Sequence, residues 1–452
     1  MAGTLKEAVD SDRAPLARLI TVVMHFDDAL APPGLTGAWV EKTLTIGRGE
    51  ADEIAPKHLA LMDPRVSTEH AELVRDGAEV LVRDLGSSNG TWVNGERVEG
   101  EQRLESGDLI EVGRSVLCFR QTTTALASQV IGKKGRAQGV SFGTLRTLNP
   151  ELGELYRKLS KIAATPQPVL IIGETGTGKD VLANELHKLS GKSGQFVAVD
   201  CGAVPDSLFE STLFGHEKGA FTGATEVRVG EISRAQKGTL LLDEVGNLTP
   251  AGQAKLLRVL ETGKVTPLGS TKTQDLDVRW LAATNRRLMQ EGDGFRADLL
   301  HRLAGVVVDL PPLRARREDL GLLLANLLTA EGVKRASVHP VAGRALVNNP
   351  LGGNVRQLRN IVQRAKHASD DAVVVVTLEA LGALEEPAEP SSERGEAERP
   401  RGDVPGKAAL ETALTSAKGN VAQAARSLGT SARQLYRWLA RAEIDPEGFR
   451  QS

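Results

Sequence analysis

The chain has 452 residues, 40% hydrophobic and 25% charged, which at roughly 100–200 residues per domain excludes a single small module. No apolar stretch approaches the roughly 18 residues of a membrane span, so no membrane partner is expected. Lys and Arg total 56 against 58 Asp and Glu, a formal charge of −2, so any nucleic-acid contact has to be local and the charge must be read segment by segment. Only Cys118 and Cys201 occur, too few for a disulfide framework. With no secretory pattern among Lys6, Glu7, Asp10, Asp12 and Arg13, a reducing cytoplasm is the expected compartment.

From residue 17 to 122 short apolar runs (LITVVMHF, KTLTIG, HAELV, EVLVRDLG, DLIEV, SVLCFR) are cut by turn residues, which predicts an all-β sandwich. Its turns carry the set IGR (46–48), VSTEH (66–70), DLGSSNGTWVNG (84–95) and SGDLIEVG (106–113), which resembles a forkhead-associated (FHA) domain. In the site that this resemblance implies, Arg48 offers a charged fork to a phosphate, Ser67, Thr68 and Ser88 add hydroxyls, and Asn89 brings an amide that can bond a ligand backbone. The Asn89-Gly90 pair also suits a tight hairpin on its own. The resemblance implies a phosphothreonine-peptide partner, either another protein or a phosphorylated segment of this chain, with His70 bracing the loops. Thr68 stands where relatives usually carry Arg or Asn, so ligand preference does not carry over.

Residues 123–142 are expected to be a linker. From 143 to 384, helical periods such as LGELYRKLSKIA alternate with apolar strands such as VLIIG and TLLLDEV, the pattern of an α/β domain. Between the strand VLII and a helical run lies GETGTGKD: Gly173, Glu174, Thr175, Gly176, Thr177, Gly178, Lys179 and Asp180. In that context the glycines let amides converge on a phosphate, and Lys179 supplies the point charge. Asp180 replaces the usual Ser or Thr. The strand TLLLDE ends in Asp243, suited to a Mg²⁺ shell, and Glu244, suited to polarise a water. Together these predict ATP and Mg²⁺ as ligands and ATP hydrolysis as the activity. A further strand ends in Thr284 and Asn285, where ligands of parallel sheets collect.

GAFTGA stands at Gly219, Ala220, Phe221, Thr222, Gly223 and Ala224, and with the loop and the paired acids the stretch resembles the AAA+ domain of bacterial enhancer-binding proteins, activators of sigma-54 RNA polymerase. That resemblance implies a P-loop ATPase with a small α-helical lid and a GAFTGA loop that touches sigma-54. It also implies arginine fingers Arg296 and Arg302 in FRADLLHRL, and a second sensor Arg356 in GNVRQLRN. Fingers acting in trans imply a homo-oligomeric ring, by resemblance a hexamer. The chain departs from the family at Asp200, where Asn normally restrains the catalytic glutamate and an acid would repel Glu244. It departs again at Leu351 and Gly352, where Trp-Pro is common.

Residues 385–406, rich in Glu, Pro, Ser and Gly, read as a flexible tether. Residues 407–445 read as an all-α helix-turn-helix, with five basic and no acidic residues from Lys418 to Arg441, and resemble the Fis-type module. Ser431, Arg433, Gln434 and Arg437 are its candidates for contacts with double-stranded DNA. The sequence thus predicts an ATP-driven activator that binds upstream DNA and remodels the sigma-54 RNA polymerase holoenzyme under phosphothreonine control. The alternatives are a phosphopeptide-binding scaffold with a degenerate ATPase, or a remodeller of another client.

Overall fold

The computed structural model describes residues 15–30, 37–50, 53–55, 57–130, 139–285, 294–369, 373–382 and 407–417, with Ala424 and Leu428. Residues 1–388 form one compact unit and residues 389–452 a second.

The N-terminal part is the expected sandwich, built from two six-stranded sheets. One contains Leu16–His25, Ser115–Thr123 and Leu109–Val112; the other contains Thr43–Arg48, His58–Leu61, Ala71–Asp76 and Glu79–Asp84. Ile20, Val22, Leu44, Ile46, Leu59, Leu73, Val82, Ile110, Leu117 and Phe119 fill the space between them. Alternate residues of a strand face opposite sides, and here both sides of one sheet are covered. Along Ser115–Thr123, Leu117 and Phe119 enter the sandwich core, while Val116 and Cys118 enter a different core shared with the helices of the lid.

The α/β domain has a five-stranded parallel sheet in the order Phe196–Asp200, Thr239–Asp243, Arg279–Thr284, Val169–Ile172, Val306–Asp309. Its register sets Asp200 beside Asp243 and Ile172 beside both Thr284 and Asp309, so the predicted chemistry collects at one carboxyl edge. The lid follows, with helices Leu320–Ala330, Pro340–Val347 and Asn354–Ala368 around Leu324, Leu346, Leu358, Ile361 and Val362.

Residues 123–142 depart from the linker expectation. Thr124–Val130 is a helix that buries Ala127 and Val130, and Val140–Phe142 pairs with Leu145–Thr147. Val130, Val140 and Phe142 join the core around Leu152, Tyr156 and Leu159, so apolar side chains at these positions tie down the described parts, 123–130 and 139–142. In the second unit Lys407–Ser416 is a helix, and Leu410, Ala413 and Leu414 are buried. The candidate DNA contacts Ser431, Arg433, Gln434 and Arg437 lie outside the described residues.

Candidate nucleotide and phosphopeptide sites

The strand Val169–Ile172 delivers the chain to Gly173, and the turn runs into the helix Lys179–Lys188. Gly176 and Gly178 adopt φ of 79° and 99°, values that glycine takes without a Cβ penalty. Lys179 is buried, and its Nζ donates to the carbonyls of Gly173 (2.9 Å) and Glu174 (3.3 Å). The same Nζ lies 3.8 Å from Glu244 Oε1, so the loop and the acid pair, about sixty residues apart in sequence, meet. Thr177 caps the turn by donating to Glu174 O at 2.8 Å, and Asp180 is exposed in the first helical turn.

Asp243 ends its strand and accepts the Glu244 amide at 2.9 Å. Glu244 itself has φ of 49°, a left-handed conformation uncommon outside glycine, which is a form of strain found at functional sites. The Asp200 carboxylate is spent locally, accepting the amides of Gly202 (2.8 Å) and Ala203 (3.1 Å). The acids still act together on one neighbour. Burial first, then the charges of Asp200, Asp243 and Glu244, push the Cys201 thiol up to about 12.

A cavity of about 720 Å³ opens beside Gly173, lined also by Glu151, Leu155, Glu174, Asn285, Asp309 and Arg314, a size within the usual small-molecule range. Two hydrogen bonds from Arg314, at 2.8 and 2.5 Å, hold Glu174 and lower its carboxyl pKa against the opposing effect of burial, with Asn354 helping. Asn354, φ 53° and fully buried, donates to Thr175 O (3.0 Å) and accepts the Leu313 amide (2.7 Å). The amides of Val355 and Arg356 donate to Gly176 O at 2.9 and 3.3 Å, so the first turn of the helix carrying Arg356 sits on the phosphate loop. Buried Arg316 donates to Thr177 O at 3.0 Å. Sequence reasoning missed Arg314, Arg316 and Asn354, although the basic run LRARR (313–317) and the Asn two residues before Arg356 were visible signals. Leu351 has φ of 47° and is buried in the lid core, so its departure from the family falls on packing.

Arg296 precedes the helix Ala297–Leu303 and forks onto Asp298 at 3.1 and 2.7 Å, while Arg302 lies 3.9 Å from Glu261. Both arginines are exposed, with these partners outside the phosphate loop. Gly219–Ala224 tops the hairpin of Gly215–His216 and Arg228–Val229. Gly219 N bonds Ala224 O at 2.8 Å and closes the loop, and Gly219 and Gly223 have φ of 84° and 99°. Ala220 is half-buried and Ala224 buried, whereas Phe221, Thr222 and Gly223 are exposed, with the Phe221 ring edge-on to His216 at 5.0 Å.

At one end of the sandwich Arg48 is exposed, and its amide donates to Ser67 O at 3.0 Å. A Cβ at Gly47 would collide with the Thr68 carbonyl, so only glycine lets Arg48 and the Ser67–Thr68 turn approach this closely. Ser67 Oγ accepts the Ser88 amide at 3.2 Å, and Asn89 Nδ2 donates to Arg65 O at 2.7 Å. His70 is fully buried; its Nδ1 accepts the Ser67 amide at 3.0 Å, so Nε2 carries the proton toward Gly90 O at 3.2 Å. It therefore bridges the two loops, as the family resemblance implied. Asp84 fixes the second loop: burial would raise its pKa, but bonds from Ser87, Thr91 and Gly86 outweigh that and lower it.

Among the described residues no cluster of three metal-ligating side chains occurs. Asp243 with phosphate oxygens fits Mg²⁺, which is usually held by one or two carboxylates plus substrate phosphates. No helix among the described residues is long and apolar enough to cross a membrane.

The Sigma-54 interaction domain family matches residues 145–309 and the AAA+ ATPase lid domain family residues 314–396. The FHA domain family matches residues 44–113, and the Fis family of bacterial regulatory proteins residues 407–441. The chain is similar to the Nif-specific regulatory protein of Rhodobacter capsulatus, 40% identical over 262 residues, 56% of this chain and 45% of that protein. It is 40% identical over 338 residues to the nitric oxide reductase transcription regulator NorR1 of Cupriavidus necator, 69% of this chain and 66% of that one. To the regulatory protein AtoC of Escherichia coli it is 38% identical over 320 residues, 68% of this chain and 69% of that one. The chain thus spans less than half of the first relative's length and about two thirds of the other two.

Proposed function

The chain belongs to the sigma-54-dependent transcriptional regulators, whose AAA+ domain is of an ATPase family, and from that premise we propose that it opens sigma-54 promoters at the expense of ATP under phosphothreonine control. The observation that carries the reading is the meeting of Lys179 and Glu244, 3.8 Å apart at the sheet's carboxyl edge. Gly173 to Asp180 and Asn285 bind the nucleotide, Lys179 stabilises its phosphate charge, and Arg356 approaches from the lid. Mg²⁺ held by Asp243 neutralises phosphate charge when bound. Glu244 orients the attacking water. Asp200, engaged by its own turn, leaves Glu244 free to do so. Arg296 and Arg302, exposed on their own chain, complete a neighbour's site in a homo-oligomeric ring, a hexamer by family resemblance. Gly219 to Ala224 meet the sigma-54 RNA polymerase holoenzyme, with Phe221 and Thr222 as the contacts.

Double-stranded DNA is bound by Ser431, Arg433, Gln434 and Arg437. Arg48, Ser67, Thr68, Ser88 and Asn89 take a phosphothreonine, on a partner protein or on this chain. The protein acts in the cytoplasm. The experiment is ATP-dependent opening of a sigma-54 promoter by the purified protein. Glu244→Gln is expected to lose ATP turnover and opening together, at least a hundredfold, whereas Thr222→Ala loses opening and keeps turnover. Opening by both variants at the wild-type rate refutes the mechanism. For the sensor, a phosphothreonine peptide binds the wild type at least tenfold tighter than Arg48→Ala, measured by fluorescence anisotropy; equal binding refutes the assignment.

A further inference from the structure

The sandwich contacts both halves of the ATPase across the segment that joins them. On the lid side Val23, Met24, Phe26, Val116 and Cys118 share one core with Leu320, Leu324, Ala342 and Leu346. Backbone bonds stitch the same face, Ala29 N to Ala336 O at 2.9 Å and Val338 N to Phe26 O at 2.7 Å. Glu111, 7% exposed, accepts Arg344 Nε at 2.7 Å, and that guanidinium stands 5.5 Å from the Trp92 ring centre. The lid helices are shaped for this contact. Gly343 lies inside the helix Pro340–Val347, where glycine costs roughly 1 kcal/mol against Ala, and Gly321 lies in the first turn of Leu320–Ala330; a Cβ there would strike the Phe26 ring or the Val23 carbonyl, respectively.

On the other side Arg120 forks onto Glu318 at 3.0 and 2.6 Å, and the same carboxylate accepts Asn149 Nδ2 at 3.0 Å. Thr122 donates to Glu151 at 2.9 Å at the start of the helix Pro150–Ile162. Two residues before Glu318, Arg316 holds the Thr177 carbonyl of the phosphate loop. A lid that swings relative to the sheet must therefore shear one of these two sets of contacts.

We propose that the sandwich is a strap across the hinge, holding the lid seated on the phosphate loop through its joint grip on the lid helices and on the segment 315–319. Loosening the strap lets the first turn of Asn354–Ala368 leave Gly176, so a nucleotide held beneath it escapes faster. The inference goes beyond the activator reading but rests on its nucleotide site.

The test uses the full chain and a fluorescent ADP analogue with Mg²⁺. Glu111→Arg and Arg344→Glu, with Arg344→Ala as a milder variant should a reversal not fold, are compared with the double reversal. Each single variant is expected to raise amide exchange over residues 340–347 and to release the analogue at least fivefold faster, and the double reversal to bring both within twofold of wild type. Single variants that exchange faster yet release the analogue at the wild-type rate overturn the strap, as do single variants with no change in exchange. Failure of the wild type to bind the analogue overturns the nucleotide-site reading instead.

Discussion

The Asp200 carboxylate is exposed at the sheet edge that also carries Asp243 and Glu244, and its two amide bonds decide how it behaves there. A charged acceptor that satisfies two backbone donors in a turn contributes on the order of 1 kcal/mol. Asp200→Asn keeps an oxygen in the same place, so Gly202 and Ala203 stay bonded while the local negative charge falls. Asp200→Ala loses the acceptor. Amide exchange at Gly202 and Ala203 is expected to speed about fivefold in the alanine variant and less than twofold in the asparagine one. Equal exchange in all three proteins would mean that Asp200 does not cap this turn and is free to act on Glu244. The sequence showed the acid, and its place where the family carries Asn suggested repulsion of Glu244. It did not show the two amides, because an Asx-type turn depends on how the strand Phe196–Asp200 ends.

At the scale of elements, a glycine inside a surface helix ordinarily loses to alanine by roughly 1 kcal/mol, so replacement usually stabilises. Gly321 and Gly343 reverse the sign, because the methyl group would meet the Val23 carbonyl or the Phe26 ring. Gly321→Ala and Gly343→Ala are each expected to destabilise the first unit by about 1–3 kcal/mol, the usual range for overpacking, read by urea denaturation; stabilisation by either change would show that the sandwich does not bear on that helix. The same contact marks what could be read from sequence. Strand positions, the phosphate loop, the acid pair and the Ser-Asn-Gly turn were legible because local spacing specifies them. The covered outer face went unread, although LITVVMHF and SVLCFR run apolar without strict alternation, the mark of strands buried on both sides. Their partner was not written, since Met24 and Leu324, or Glu174 and Arg314, are brought together only by the tertiary fold. The helix at Thr124–Val130 escaped because seven residues, TALASQV, are too short to show a helical period, even though Thr123 caps it by accepting the Leu126 amide at 3.4 Å.

Across the whole molecule a formal charge of −2 conceals a fully buried carboxyl at the junction of sandwich, sheet and lid. Asp319 accepts Thr147 Oγ1 and the Leu148 amide, both at 2.6 Å. Burial raises its pKa from 3.8 to about 6; Arg316 opposes the shift and Glu318 adds to it. Between those values the folded chain holds a proton that the unfolded chain has released, so the folded state binds more protons there and stability falls as pH rises from about 4 to about 6. Above the folded pKa the loss is complete and the curve levels. A shift of this size corresponds to on the order of 2–3 kcal/mol. Carboxylates with lowered pKa, such as Glu174 and Asp84, give the opposite slope, lost as pH falls, so the total curve mixes both signs. Asp319→Asn separates them, because an amide can still accept the Leu148 amide and donate to Thr147 while it never ionises. The stability of Asp319→Asn minus that of the wild type, from urea denaturation, is expected to rise by that amount between pH 4 and pH 6 and then stay level. A difference that does not change with pH would mean that Asp319 keeps an ordinary carboxylate pKa, and the junction would then have to hold a buried negative charge, with Arg316 as its counter-ion, at every pH where the protein works.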